Sequence, residues 1–235
     1  MKKSIAAALI LVFLLTFTAA PALAAGRINV VQENYYTIKE YSSYYGYVFA
    51  RVENNGNKPI KVNAALLETF NEEGDAITST DRFSSYARYL EPGEYTYLRM
   101  SSEMADISAP EAVDDYMLTV SGKSDLDQQC VRLECKPEYR ENEKDGYSTY
   151  NYMYGTVTNN TDEIVYRPCV VFALLDADDN ILYVAGDSLD SNQALLPGSS
   201  ILFKISVDSD FVSYMEANGL TPASLDAIGY CIVDK

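Results

Sequence analysis

Tyrosine is the residue this chain uses to excess, 20 of them beside no histidine and no tryptophan, and the spacing points to recognition before catalysis. Two stretches hold the pattern: residues 44–53 read YYGYVFARVE and residues 150–158 read YNYMYGTVT. In an extended strand alternate side chains share a face. Tyr45, Tyr47, Phe49 and Arg51 then lie opposite Val48, Ala50 and Val52, while Tyr150, Tyr152, Tyr154 and Thr156 lie opposite Met153, Gly155 and Val157. A tyrosine stripe combines apolar contact with a polar tip, the chemistry of a protein- or glycan-binding face. The same stripe also suits packing across a sandwich or between modules. Tyr45, Tyr47, Tyr150, Tyr152 and Tyr154 are the candidate partner-binding residues.

Other chemistry is sparser. Without histidine there is no Ser–His or Cys–His nucleophile pair and no His-ligated metal, and glycine-rich phosphate loops are absent. We expect no catalytic residue and no cofactor. The 34 acidic residues leave one catalytic alternative, a carboxylate pair hydrolysing glycans, whose separation of about 5–10 Å is set in space and not along the chain. Asp176-x-Asp178-x-Asn180 resembles the opening of a calcium loop, but the sixth position is not Gly and the twelfth is not Glu. It falls where a hairpin must reverse, so its main reading is turn chemistry; weak cation binding in a calcium-stabilised extracellular protein is the second. Cys130, Cys135, Cys169 and Cys231 all lie in the C-terminal half. An even count in an exported chain suggests disulfides, with three connectivities open. A four-Cys zinc site is the rival, although Cys130-x4-Cys135 stands at the edge of ligand spacing and the other two are isolated.

The compartment is read from residues 1–25. Lys2 and Lys3, an apolar run over 5–17 and Ala22-Leu23-Ala24 form the three parts of a secretory leader, with cleavage expected after Ala24. No later run approaches the roughly 20 apolar residues of a spanning helix, so a secreted or extracytoplasmic protein without a transmembrane segment is expected. Removing Lys2 and Lys3 takes the formal charge from -16 to -18, which argues against a nucleic-acid partner.

Positioning of the tyrosines follows from a repeat. Residues 50–71 and 155–176 align without a gap at an offset of 105, pairing Val52 with Val157, Asn54 with Asn159 and Asn55 with Asn160; the register continues to Leu90-Glu91-Pro92-Gly93 against Leu195-Leu196-Pro197-Gly198. Each copy reads as an opening strand (28–33, 131–135), a tyrosine-rich strand, an Asn-rich turn, a Val/Ile/Leu strand (59–70, 164–175) and an Asp/Asn turn. Strands at 76–80 and 181–185, 94–101 and 199–207, then 116–120 and 227–233 complete the copies. Residues 209–218 (SDFVSYMEAN) read as a short helix in the second copy alone, capped by Asp208 or Ser209 and ended by Gly219. The expected fold is all-β: two tandem immunoglobulin-like antiparallel β-sandwich modules at 26–122 and 130–235, joined by a polar linker at 123–129.

The run Gly155-x-Val157-x-Asn159-Asn160, then Phe172-Ala173-Leu174-Leu175-Asp176, then Leu196-Pro197-Gly198 with Phe203 behind it, resembles the FxLYD domain, with Leu175 in the place of the Tyr. The first copy is more degenerate, with Ala50 for the Gly and Leu67-Glu68-Thr69-Phe70-Asn71 in the corresponding run. The resemblance implies exported bacterial β-sandwich modules with no catalytic site to transfer. Its motif residues are fold residues: Val157, Phe172, Leu174 and Phe203 for core, Asn159, Asp176 and Gly198 for turns. The expected function is non-catalytic, through contact with a protein or envelope component.

Overall fold

The structure, a computed structural model, describes residues 27–235; the leader expected over residues 1–25 lies outside the described residues. The first half comprises β1 (Ile28–Glu40), β2 (Ser43–Asn54), β3 (Ile60–Phe70), β4 (Ala76–Thr80), β5 (Phe83–Ser85), β6 (Tyr89–Leu90), β7 (Tyr95–Met104) and β8 (Asp115–Lys123). The second comprises β9 (Gln128–Asp145), β10 (Ser148–Thr158), β11 (Val165–Tyr166), β12 (Cys169–Leu175), β13 (Ile181–Ser188), β14 (Ala194–Leu195), β15 (Ser200–Ser206), α1 (Ser209–Asn218) and β16 (Ser224–Asp234). The fold is all-β, with every strand pair antiparallel.

In the first half one sheet runs β1-β2-β7-β5; in the facing one β3 carries β4 and β6 along one edge and β8 along the other. The second half repeats the β1-β2-β7 and β4-β3-β8 pairings within one sheet, β13-β12-β16-β9-β10-β15, and the β3-β6 pairing in the separate two-stranded β11-β14. There β9 serves both layers: Gln128 to Leu133 pair with β16, and Glu134 to Asp145 with β10. Among the described residues no sheet mixes strands of the two halves.

The repeat is visible bond by bond. Asn54 is fully buried, donating from Nδ2 to the carbonyls of Lys58 (2.8 Å) and Leu90 (2.9 Å) and accepting from Gly56 N–H. Asn159 does the same with Glu163, Leu195 and Thr161. One side chain thus satisfies three backbone groups that would otherwise lie unpaired at a strand end. Gly93 and Gly198 follow in left-handed conformations (φ 82° and 73°), which glycine adopts without a Cβ penalty. The helix forms where the capping residues place it: Asp208 accepts from Asp210 N–H, and Gly219 ends it at φ 66°.

Two buried clusters result. Val48, Ala50, Val52, Leu67, Leu98 and Met100 fill the space between the first half's layers. The other cluster fills the second half and extends into the first, drawing in Ile38, Tyr47, Phe49, Ala87 and Tyr97.

Candidate functional site

The alternation along β2 sends Val48, Ala50 and Val52 inward and Tyr45, Tyr47 and Phe49 outward, as the strand period requires. What covers the outward face is the second half. Phe211, on the first turn of α1, lies 4.8 Å from the Tyr47 ring, 5.3 Å from Phe49 and 5.0 Å from Tyr183, centroid to centroid, mostly edge-on. Tyr36 meets Tyr214 edge-on at 5.8 Å. Arg99 sits among these rings, 5.3 Å from Tyr47 and 5.2 Å from Tyr183, and donates to the Tyr183 hydroxyl at 3.2 Å. A guanidinium over ring faces is a favourable cation–π arrangement when water is excluded.

Polar contacts tie the same junction. Asp226 Oδ2 accepts from both Tyr95 (2.8 Å) and Tyr97 (2.6 Å). Tyr36 donates to the Ile181 carbonyl at 2.7 Å, and Asn34 accepts from Ile181 N–H. Burial, then the hydrogen bond to Asp226, pushes the Tyr95 hydroxyl up to about 12 and that of Tyr97 further.

In the second half Tyr150, Tyr152, Tyr154 and Lys204 occupy the positions of Tyr45, Tyr47, Phe49 and Arg99, each 105 residues on. Among the described residues their aromatic contacts are with one another. The rings form a ladder at 5.7 and 6.0 Å, and charged side chains roof it: Lys204 stands 3.8 Å from the Tyr152 ring and Arg140 4.6 Å from that of Tyr154. Lys204 bridges Glu143 (3.3 Å) and Asp145 (3.2 Å), while Tyr154 donates to Glu143 and Tyr152 to Asp145. The hydroxyl bonds first, and Lys204 with them, hold both carboxyls below their usual range. Under this roof Tyr152 and Tyr154 are covered, and Tyr150 at the rim is 40% exposed.

The five candidate tyrosines therefore have different surroundings: Tyr47 buried and Tyr45 half-buried at the junction, Tyr152 and Tyr154 beneath ion pairs, Tyr150 open to solvent. Asp176 is engaged in its own turn, Oδ1 accepting from Asp178 and Asn180 N–H and Oδ2 from the Asn180 side chain at 3.0 Å. Asp178 lies on the exposed side of that turn.

The cysteines do not meet the expectation of disulfides: all four are free thiols. The strand register explains why. Cys169 pairs with Tyr230, Cys231 with Val131, Cys130 with Ile232 and Cys135 with Val157, so no cysteine stands opposite another. Burial pushes the Cys130 thiol up to about 12 and those of Cys135 and Cys231 to about 11, far from the thiolate that reacts.

Sequence reading missed Arg99, Lys204, Tyr183, Phe211 and Asp226. Extending the repeat into β7 and β15 finds the first two, a cation opposite each stripe. The others act only through the junction and leave no periodic signal. Among the described residues no helix is long and apolar enough to cross a membrane. No family model matches the chain, and no curated protein matches it. Among solved structures it is similar to a calcium-binding mutant of Bacteroides uniformis beta-glucuronidase 2, at 14% identity and a TM-score of 0.21, over 74% of this chain and 23% of that one. The chain spans less than a quarter of that protein's length, and at this score the likeness establishes neither fold nor activity.

Proposed function

We propose that this is a non-catalytic exported protein of two FxLYD-like sandwich modules, with the second tyrosine ladder as its face for a protein or envelope component. One observation carries the reading. The equivalent face of the first half, with Tyr47, Phe49 and Arg99 where the second half has Tyr152, Tyr154 and Lys204, already docks protein, holding Phe211 and Tyr183. A surface of the same plan, with a half-exposed tyrosine and a rim of both charge signs, suits a second such contact. The duplicated Asn54 and Asn159 bonds support the module reading.

The hydrolase alternative has a pair of neighbouring carboxylates in Glu143 and Asp145. Such chemistry needs one carboxyl kept protonated as the acid, whereas both are shifted towards the ionised form. The test is retention of the protein on washed envelopes of the producing cell. Combining Tyr150→Ser with Lys204→Gln is expected to lower retention at least tenfold, about 1.4 kcal/mol of binding, with the melting temperature within a few degrees of the parent. Undiminished retention removes this face from the function, and glycoside turnover lost in Glu143→Gln would replace the reading by the enzymatic one.

A further inference from the structure

A cavity of about 540 Å³, within the size range of small-ligand sites, opens between the halves and involves none of the ladder residues. Its first-half wall carries Arg88 and Tyr86, and its second-half wall Arg167, Asp187 and Tyr230. Arg51, Arg99, Arg132 and Arg140 are each engaged with a ring or a carboxylate. Arg88 and Arg167 are in none of the ion pairs among the described residues. Arg88 lies 5.6 Å from the Tyr89 ring, and among the described residues no side-chain hydrogen bond or ring contact engages the Arg167 guanidinium. Asp187 is the single carboxylate in the lining, so the cavity is net positive in a chain of formal charge -16.

Three further features mark this cleft. At an offset of 105 the equivalents of the two arginines are Gln193 for Arg88 and Val62 for Arg167, so neither position requires a cation. Both are presented by strained backbone. Arg167 has φ 49° immediately before Pro168, and Ala87, immediately before Arg88, has φ 45°; left-handed non-glycine residues concentrate where function holds them. Ala87 stands in the bend between β5 and β6 and Arg167 in the bend between β11 and β12, as Tyr41, Asn142 and Asp179 stand at other reversals or a strand irregularity. Ser85, on the same wall, has a buried hydroxyl with no hydrogen-bond partner.

We infer that this cleft binds a small organic or inorganic anion, with carboxylate or phosphate oxygens held between the Arg88 and Arg167 guanidinium groups. Each planar fork presents paired N–H donors to two oxygens of one anionic group. Because the walls come from different halves, the bound anion also ties them together.

The full mature chain is titrated with phosphate, with citrate and with glycerol, against sodium chloride of matched ionic strength, by calorimetry and thermal melting. We expect saturable binding of phosphate or citrate and none of glycerol, with a melting temperature rising with the logarithm of anion concentration. Phosphate alone or citrate alone would assign the oxygen chemistry. Arg88→Gln, which installs the residue found at its repeat position, and Arg167→Gln are each expected to weaken binding at least tenfold, and Arg82→Gln to leave it unchanged. Absence of saturable binding by either anion, or affinity unmoved in both cleft variants, overturns the assignment.

Discussion

Gly155 has no Cβ because Phe172 occupies the space: a methyl group built there would lie 2.7 Å from the ring. The first half resolves the same contact the other way. Ala50 stands at the equivalent position, and Leu67, shorter and without a ring, at that of Phe172; both are fully buried. The pair is therefore one packing decision made twice. Gly155→Ala alone is expected to cost about 1–3 kcal/mol through overpacking. Combined with Phe172→Leu it should cost at least about 1 kcal/mol less than the two single changes summed, as measured by urea unfolding of all four proteins. Additive costs would mean that the Phe172 ring moves aside freely.

Among the elements, α1 distinguishes the halves most. It is short, and its value to the structure lies in Phe211, which is 1% exposed and reaches four aromatic rings, Tyr36, Tyr47, Phe49 and Tyr183. Phe211→Ala is expected to destabilise by about 3–5 kcal/mol, with loss of near-ultraviolet circular dichroism from the ring cluster; a change under 1 kcal/mol would show that α1 does not hold the halves together. The helix was legible because Asp208 and Gly219 are local signals, as were β4 and the turns around Asn54 and Asn159. The strand expected over 164–175 is instead β11 and β12, broken at Arg167-Pro168, where proline removes a donor and Arg167 turns left-handed. The full extent of β9 was illegible for another reason. Residues 139–145 (YRENEKD) lack an apolar alternation and become a strand through pairing with β10. Likewise the period of the tyrosine stripe identified its face, while what lies on that face is settled by residues more than 100 positions away.

For the whole molecule, the junction makes stability depend on pH in a window set by phenols. Burial raises the hydroxyls of Tyr36, Tyr47, Tyr95, Tyr97 and Tyr230 above the ordinary value of 10.0. The folded state thus holds these protons more tightly than the unfolded chain, so their contribution is complete below about pH 10 and is lost as pH rises from there. The urea midpoint is expected to be flat between about pH 7 and 9 and to fall between about pH 10 and 12, with tyrosinate absorbance appearing together with unfolding. Titration of all tyrosines near pH 10 in a chain that stays folded would contradict the burial. The aromatic junction also has a consequence in time. Synthesis proceeds from the N-terminus, so β2 and β7 can pair before residue 211 exists, and the nascent first half then presents Tyr47 and Phe49 uncovered until β13 and α1 arrive. A chain halted or truncated ahead of Phe211 would carry a folded sheet with a bare aromatic face, the kind of species that aggregates or engages chaperones.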